Sequence, residues 1–352
     1  LSVEKLPGPT LTITEKLWLT FAFFFRSKLN ILSTSNSLFL IFVCNFSIKK
    51  LLFNLNPIES FLPVQLIIKK SLIILFFIVF LSYPHKTYSS SNNIDDYGII
   101  TLMYHRFEEN KYPSTNIRIK DFKIHLNLIN KEGFAFVNPN KFELELKNKT
   151  KKKVLLTIDD GFSSFYENAW PILEEKKIPF ILFVSTREVG KNGYMTWEQI
   201  NEIAKKDFVH IGNHSHSHEY LIDENKNEII KDLKKSISIF KNEMGYNSHF
   251  FSYPFGEYSL QLKEIVNNLK FRFAFGQHSG VVDDTKDLLE LPRFPINEKY
   301  GEIKRFKTIL NTLPFKFKKI TPEEKYILNE NNPPKVSVEF FEDMKNIKLI
   351  NC

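Results

Sequence analysis

Cysteine is nearly absent: the 352-residue chain holds two, Cys44 and Cys352. They form no CxxC metal or redox motif and give no disulfide framework. Both lie outside the region that the motifs below mark as catalytic. Long hydrophobic runs are also missing. The apolar clusters Leu17–Phe25 and Leu38–Cys44 are cut short by Arg26, Lys28 and Lys49–Lys50, well under the roughly 20 residues of a membrane-spanning helix. There is no zinc-finger spacing, no basic recognition helix and no aromatic-basic ribonucleoprotein motif, so nucleic acid is not an expected partner. Hydrophobic content of 43% and charge of 25% exclude collagen-like, coiled-coil and fully disordered chains and fit a globular protein of one large or two smaller domains.

The net charge is +8. Lys, Asn, Ile and Phe crowd the whole chain, the pattern an AT-rich genome produces, so codon usage competes with a selected basic surface as its cause. A selected charge fits an acidic glycan or an anionic membrane surface.

Four regions follow from composition. Residues 1–65 do not read as a domain. The first methionine is Met103, and this stretch is expected to lie upstream of the native start or to act as a membrane-associated leader. Residues 66–92 carry Lys69–Lys70, an apolar run from Leu72 to Leu81, then Ser82, Tyr83, Pro84 and a polar exit. That order is expected of a signal peptide or an N-terminal membrane anchor with its linker, although an A-x-A cleavage site is missing. An exported protein, periplasmic, in the cell envelope or extracellular, follows as the expectation. Residues 98–312 form the catalytic domain. Residues 313–352 form a tail punctuated by Pro333–Pro334, with strand character over Val336–Phe341, read as the start of a second domain.

Within 98–312 short apolar runs alternate with helical patterns. Ile99–Tyr104, Val154–Ile158, Phe180–Val184, Phe208–Ile211, Phe250–Tyr253 and Phe271–Phe275 are predicted strands. Thr196 with Gln199 makes a capping box for a helix through Lys205. Ile229, Leu233, Ile237, Phe240 and Met244 recur at helical spacing as core, and Gly245 stops that helix. The alternation predicts a parallel α/β sheet or barrel, with chemistry at the C-terminal strand ends.

Two motifs sit at such ends. Thr157-Ile158-Asp159-Asp160-Gly161 closes a strand, and Gly161 can take backbone angles that turn both carboxylates into one cleft. A solvated Asp-Asp-Gly turn is the plainer alternative. His214-Ser215-His216-Ser217-His218 follows another strand. His214 and His218 meet on one face if the segment is helical; His214 and His216 do so if it is extended. Two imidazoles and one carboxylate leave an open position, the layout of catalytic zinc. A surface histidine cluster without metal is the alternative.

Taken together, Thr-x-Asp-Asp-Gly and His-Ser-x-x-His resemble the polysaccharide deacetylases, the NodB-homology family or carbohydrate esterase family four. The resemblance implies a distorted (β/α) barrel over residues 98–312, preceded by the hydrophobic leader. It implies Asp159 as catalytic base and Asp160, His214 and His218 as ligands of a divalent metal, Zn²⁺ by chemistry. Ile158 stands where the family usually has phenylalanine. The family's Arg-x-Pro motif has no arginine here: the stretch reads Phe251-Ser252-Tyr253-Pro254-Phe255-Gly256. Arg293 is the candidate to orient Asp159 instead, and the backbone N–H of Tyr253 is the expected oxyanion donor. The usual C-terminal Leu-x-His is missing, whereas Leu102-Met103-Tyr104-His105 ends the first strand. That order is similar to the permuted exported poly-N-acetylglucosamine deacetylases and assigns His105 as the catalytic acid. The implied substrate is an acetylated amino-sugar polysaccharide; O-deacetylation of xylan-like glycans and non-catalytic glycan binding are the competing expectations.

Overall fold

The computed structural model describes residues 97–341. The leader expected over residues 1–65 and 66–92, and the last eleven residues of the tail, lie outside them. Among the described residues no helix is long and apolar enough to cross a membrane.

In chain order the elements are β1 (Ile99–Tyr104), β2 (Arg106–Phe107), β3 (Asn116–Ile117), α1 (Ile119–Lys131), β4 (Ala135–Phe136), α2 (Phe142–Lys147), β5 (Lys153–Ile158), α3 (Trp170–Lys176) and β6 (Phe180–Val184). Then come α4 (Trp197–Ala204), β7 (Val209–Asn213), α5 (Lys226–Met244), β8 (Phe250–Ser252), α6 (Leu260–Asn268), β9 (Phe273–Phe275), β10 (Val281–Val282), β11 (Phe294–Pro295) and α7 (Ile303–Leu310). A hairpin of β12 (Lys319–Thr321) and β13 (Ser337–Glu339) ends the described chain.

The main sheet runs β10-β1-β5-β6-β7-β8-β9. All its neighbours are parallel except β1 with β10. Residues 291–296 close it. On one side the Leu291 amide donates to Ala274 O and the Gly276 amide to Leu291 O; on the other the Ile296 amide donates to Met103 O. β11 is thereby parallel to β1, and the sheet curls into the distorted barrel.

Strands β1, β5 and β6 are buried along their whole length. Helices cover one face and the barrel interior the other, so these strands read as continuous apolar runs without alternation. Gly212 in β7 belongs to this packing: a Cβ there would stand 2.3 Å from the Phe183 ring.

The helix signals act as expected. The Thr196 hydroxyl accepts from the Gln199 amide and the Gln199 side chain accepts from the Thr196 amide, a complete capping box for α4. Gly245 ends α5 with φ of 76°. The strand character expected near the end of the tail is realised as β13, which pairs antiparallel with β12. The tail also rests on the domain: the Leu260 amide donates to the Glu324 carboxylate, and the Tyr326 hydroxyl to Asp223.

Candidate active site

The C-terminal ends of β1, β5, β7 and β8 gather one cluster of polar side chains. Tyr104 on β1 is in register with Ile158 on β5, and the Asp159 amide donates to Tyr104 O at 2.9 Å. His105 and Asp159 are therefore the first residues past the ends of adjacent parallel strands. Asp160 and Gly161 then take φ of 74° and 72°. The second of these was expected of glycine. The first is carried by an aspartate, one of the few side chains that tolerates the left-handed region.

Asp159 is fully buried, as is Arg293. The guanidinium forks onto the carboxylate, Nη1 to Oδ1 at 2.7 Å and Nη2 to Oδ2 at 2.8 Å. Nη2 also reaches Ser252 Oγ at 2.8 Å, Nε reaches Gly276 O at 2.8 Å, and Ser252 Oγ donates to Asp159 Oδ2 at 3.0 Å. Burial alone raises the Asp159 pKa. The charges of Arg293 and His214, with the Arg293 hydrogen bonds, outweigh it and hold the carboxyl below its ordinary value. The group is an oriented anion whose rotation is fixed at both oxygens.

Beside it lie Asp160, His214 and His218. His214 Nδ1 faces Ser252 O at 2.7 Å. A carbonyl can only accept, so Nδ1 carries a proton and Nε2 is the nitrogen turned toward Asp160. It stands 3.3 Å from Asp160 Oδ1, and His218 Nε2 stands 3.0 Å from the same oxygen. Asp160 Oδ1 is buried and yet makes no aligned hydrogen bond. One ligand atom from each residue lies within 4.8 Å of the others. The donor set of two imidazoles and one carboxylate, the orphaned oxygen and the backbone-anchored imidazole all fit a divalent metal. Burial raises the Asp160 pKa and the two imidazoles more than reverse it, holding the carboxyl well below its usual range.

The histidines converge by a different route from either geometry expected. The segment after β7 is a loop, neither helix nor strand. Ser215 and His218 take φ of 66° and 55°, folding the loop so that positions 214 and 218 meet. The His214 and His218 ring centroids are 4.9 Å apart. His216 turns away, with Nδ1 2.9 Å from Thr186 Oγ1. Helix α5 holds the loop in shape. The Asp232 carboxylate accepts from the His216 and Ser217 amides at 2.9 Å each, and Ser236 Oγ donates to Ser215 O at 3.1 Å. Asp232 and Ser236 were not singled out from the sequence. The available signal was a fully buried polar residue on the core face of α5, one position before Ile237 in the apolar stripe.

One expected donor is not available. The Tyr253 amide donates to Phe275 O at 3.0 Å, because Tyr253 still belongs to the β8–β9 ladder. Its hydroxyl is committed to Leu289 O at 2.9 Å. Tyr253 therefore offers the cleft no N–H and is corrected from oxyanion donor to a buried wall residue. In the same turn, Phe255 takes φ of 57° and its ring centroid lies 4.9 Å from that of His218. Its amide makes no hydrogen bond among the described residues. His105 is half-buried at the cleft floor. Burial lowers its pKa, against the pull of Asp160 and Asp159.

Comparison with known proteins matches residues 146–274 to the polysaccharide deacetylase family model. The chain is 23% identical over 199 residues to YxkH of Bacillus subtilis, a protein named for polysaccharide deacetylase, covering 56% of this chain and 70% of YxkH. It is 26% identical over 171 residues to the poly-beta-1,6-N-acetyl-D-glucosamine N-deacetylase of Staphylococcus aureus, covering 44% of this chain and 59% of that protein. Among solved structures, IcaB from Ammonifex degensii superposes with a TM-score of 0.56 at 26% identity, covering 60% of this chain and 97% of that one.

Proposed function

We propose that this chain, a member of the polysaccharide deacetylase family, hydrolyses N-acetyl groups on an amino-sugar polysaccharide and releases acetate. The supporting observation is the Asp159–Arg293 fork, a buried, ionised and oriented carboxylate one residue from the Asp160–His214–His218 ligand set. An amide is a poor electrophile with a poor leaving group, so its hydrolysis needs an activated water, a stabilised oxyanion and a proton for the departing amine.

Asp160, His214 and His218 would hold a divalent metal, which for this donor set is Zn²⁺. A metal bound there polarises the acetyl carbonyl and lowers the pKa of water toward roughly 7. Asp159 accepts the proton of the attacking water, and Arg293 keeps its oxygens aimed while it does so. The freed Phe255 amide replaces Tyr253 as the backbone donor available to the developing oxyanion. His105 delivers a proton to the amine nitrogen as the carbon–nitrogen bond breaks. Burial lowers its pKa, which makes the protonated ring the readier proton donor. Poly-N-acetylglucosamine is the favoured polymer, by similarity to relatives named for it. The Lys69–Lys70 flank and the apolar run to Leu81 support export to where such polymers are met.

Acetate release is measured on poly-N-acetylglucosamine and on acetylated xylan, with and without chelator. The wild-type protein is expected to act on the former in a chelator-sensitive way. Asp159→Asn keeps metal and loses turnover, and His214→Ala loses both. Wild-type rates in Asp159→Asn would overturn the base assignment, and release from xylan alone would replace the N-deacetylase by an O-acetyl esterase.

A further inference from the structure

Two aromatic side chains beside the candidate metal site are exposed and stacked on each other. The Tyr220 and Phe255 rings lie 3.8 Å apart with an interplanar angle of 3°. Tyr220 is 46% exposed and Phe255 37%. The Phe255 ring in turn borders His218, with centroids 4.9 Å apart. Single exposed aromatics are ordinary on protein surfaces. A parallel pair leading away from a ligand histidine is a built surface, and three features mark it so.

First, Phe255 adopts φ of 57°, a region bulky side chains avoid and which persists only where the surroundings impose it. Second, the next residue fixes the turn: a Cβ at Gly256 would stand 2.2 Å from the Gln277 side chain, so the chain passes too close there for any other residue. Third, the loop carrying Tyr220 is tied on both sides of that residue. Arg187 Nη2 donates to Glu219 at 2.9 Å, the Tyr326 hydroxyl donates to Asp223 at 3.0 Å, and Leu221 is buried between them. These contacts shape the loop before anything binds, which lowers the ordering cost of binding.

We propose that Tyr220 and Phe255 form a stacking platform for a second pyranose of the polysaccharide, a neighbour of the residue whose acetyl group is cleaved. A pyranose presents an apolar C–H face and a polar rim of hydroxyls. The exposed face of Tyr220 matches the first, and Glu219 and Asp223, on the same loop, are polar groups for the second. The reacting sugar must lie over His218, so a ring stacked beyond Phe255 on Tyr220 belongs to the next sugar along the chain. The platform makes the enzyme prefer oligomers to short fragments. The choice of an N-acetylated ligand rests on the deacetylase reading; the platform itself does not.

The test uses the full chain and β-1,6-linked N-acetylglucosamine pentamer and disaccharide. Pentamer affinity is measured by calorimetry in the Asp159→Asn background, and acetate release in the otherwise wild-type protein. Tyr220→Ala is expected to weaken pentamer binding about tenfold, roughly 1.4 kcal/mol. It should reduce the pentamer-to-disaccharide ratio of kcat/KM by a similar factor. Tyr220→Phe keeps the stacking face and should stay within about twofold of its parent, which a disrupted loop would not allow. Unchanged pentamer affinity and an unchanged length ratio in Tyr220→Ala overturn the platform while leaving the deacetylase reading intact. Weakened binding with no acetate released by the wild type upholds the platform and overturns the deacetylase. A wild-type protein that neither binds nor deacetylates the pentamer overturns both.

Discussion

Arg293→Met is the sharpest probe of the site. The substitution keeps an apolar stem and removes five donor–acceptor contacts: two to Asp159 and one each to Ser252, Thr157 and Gly276. What remains for the buried carboxylate is one hydrogen bond from Ser252 Oγ at 3.0 Å. Removing one member of a buried ion pair costs about 3–5 kcal/mol, because the other charge is left uncompensated. With both residues fully buried and Ser252, Thr157 and Gly276 each losing a donor, the upper half of that range applies. A domain of this size has about 5–15 kcal/mol in total, so the loss is a large share. Asp159→Asn leaves the guanidinium charge buried instead and should also destabilise. The double variant removes both charges, so its loss should be smaller than the two single losses added, by about 2–3 kcal/mol. Urea unfolding of the metal-free chain, followed by tryptophan fluorescence, gives all four corners of the cycle. Effects that add to within about 0.5 kcal/mol would show that the fork contributes no coupling and that Arg293 does not hold Asp159.

Two further outcomes follow from the same geometry. His218→Ala should lose tightly bound divalent metal, as read by elemental analysis after dialysis, whereas His216→Ala should retain it, because His216 faces Thr186; the reverse result would place the metal elsewhere in the histidine loop. His125 is fully buried between the Tyr104 hydroxyl and Gly301 O, and burial lowers its pKa from 6.5 to about 4. The unfolded chain then binds more protons than the folded one between those values. The contribution is complete above about pH 6.5 and is lost as pH falls toward 4, by about 3 kcal/mol in all. His125→Phe should therefore be less stable at pH 7 but show a flatter decline over that window, and parallel stability curves would refute this.

The strands legible in the sequence are those buried on both faces. Ile99–Tyr104 and Phe180–Val184 are predicted with the observed boundaries, because an unbroken apolar run has no competing helical reading when it is this short. The strand that closes the barrel was not legible. Phe294–Pro295 spans two residues and carries no periodicity; its pairing with β1, and the bonds of nearby Leu291 to Ala274 and Gly276, define the closure. The candidate ligand set of Asp160, His214 and His218 was legible by residue type and spacing. Their geometry was not, since i and i+4 suggested a helix and the observed loop depends on Asp232 and Ser236 from a helix that sequence alone marks as plain core. Tyr253 was read as a free backbone donor for a related reason. Tyr253 is the first residue past β8, and the hydrogen bond of its amide to Phe275 O continues the ladder by one step and spends that N–H.

Closure of the barrel also explains how residues from the two ends of the domain share one site. β1 is bonded to β5 on one side and to the segment after Arg293 on the other. His105 and Arg293, 188 positions apart in the chain, thus flank the same carboxylate pair. The guanidinium does not need to come from the strand end where the family's arginine stands, because the neighbouring wall supplies it. Ser252 at the vacated position is small enough to leave room for that guanidinium, and its hydroxyl bridges Arg293 and Asp159. An arginine at both positions would bury two like charges against one carboxylate, which desolvation and mutual repulsion disfavour. Arginine at 293 and serine at 252 therefore act together on Asp159, and the site needs no second guanidinium from the Ser252-Tyr253-Pro254 stretch.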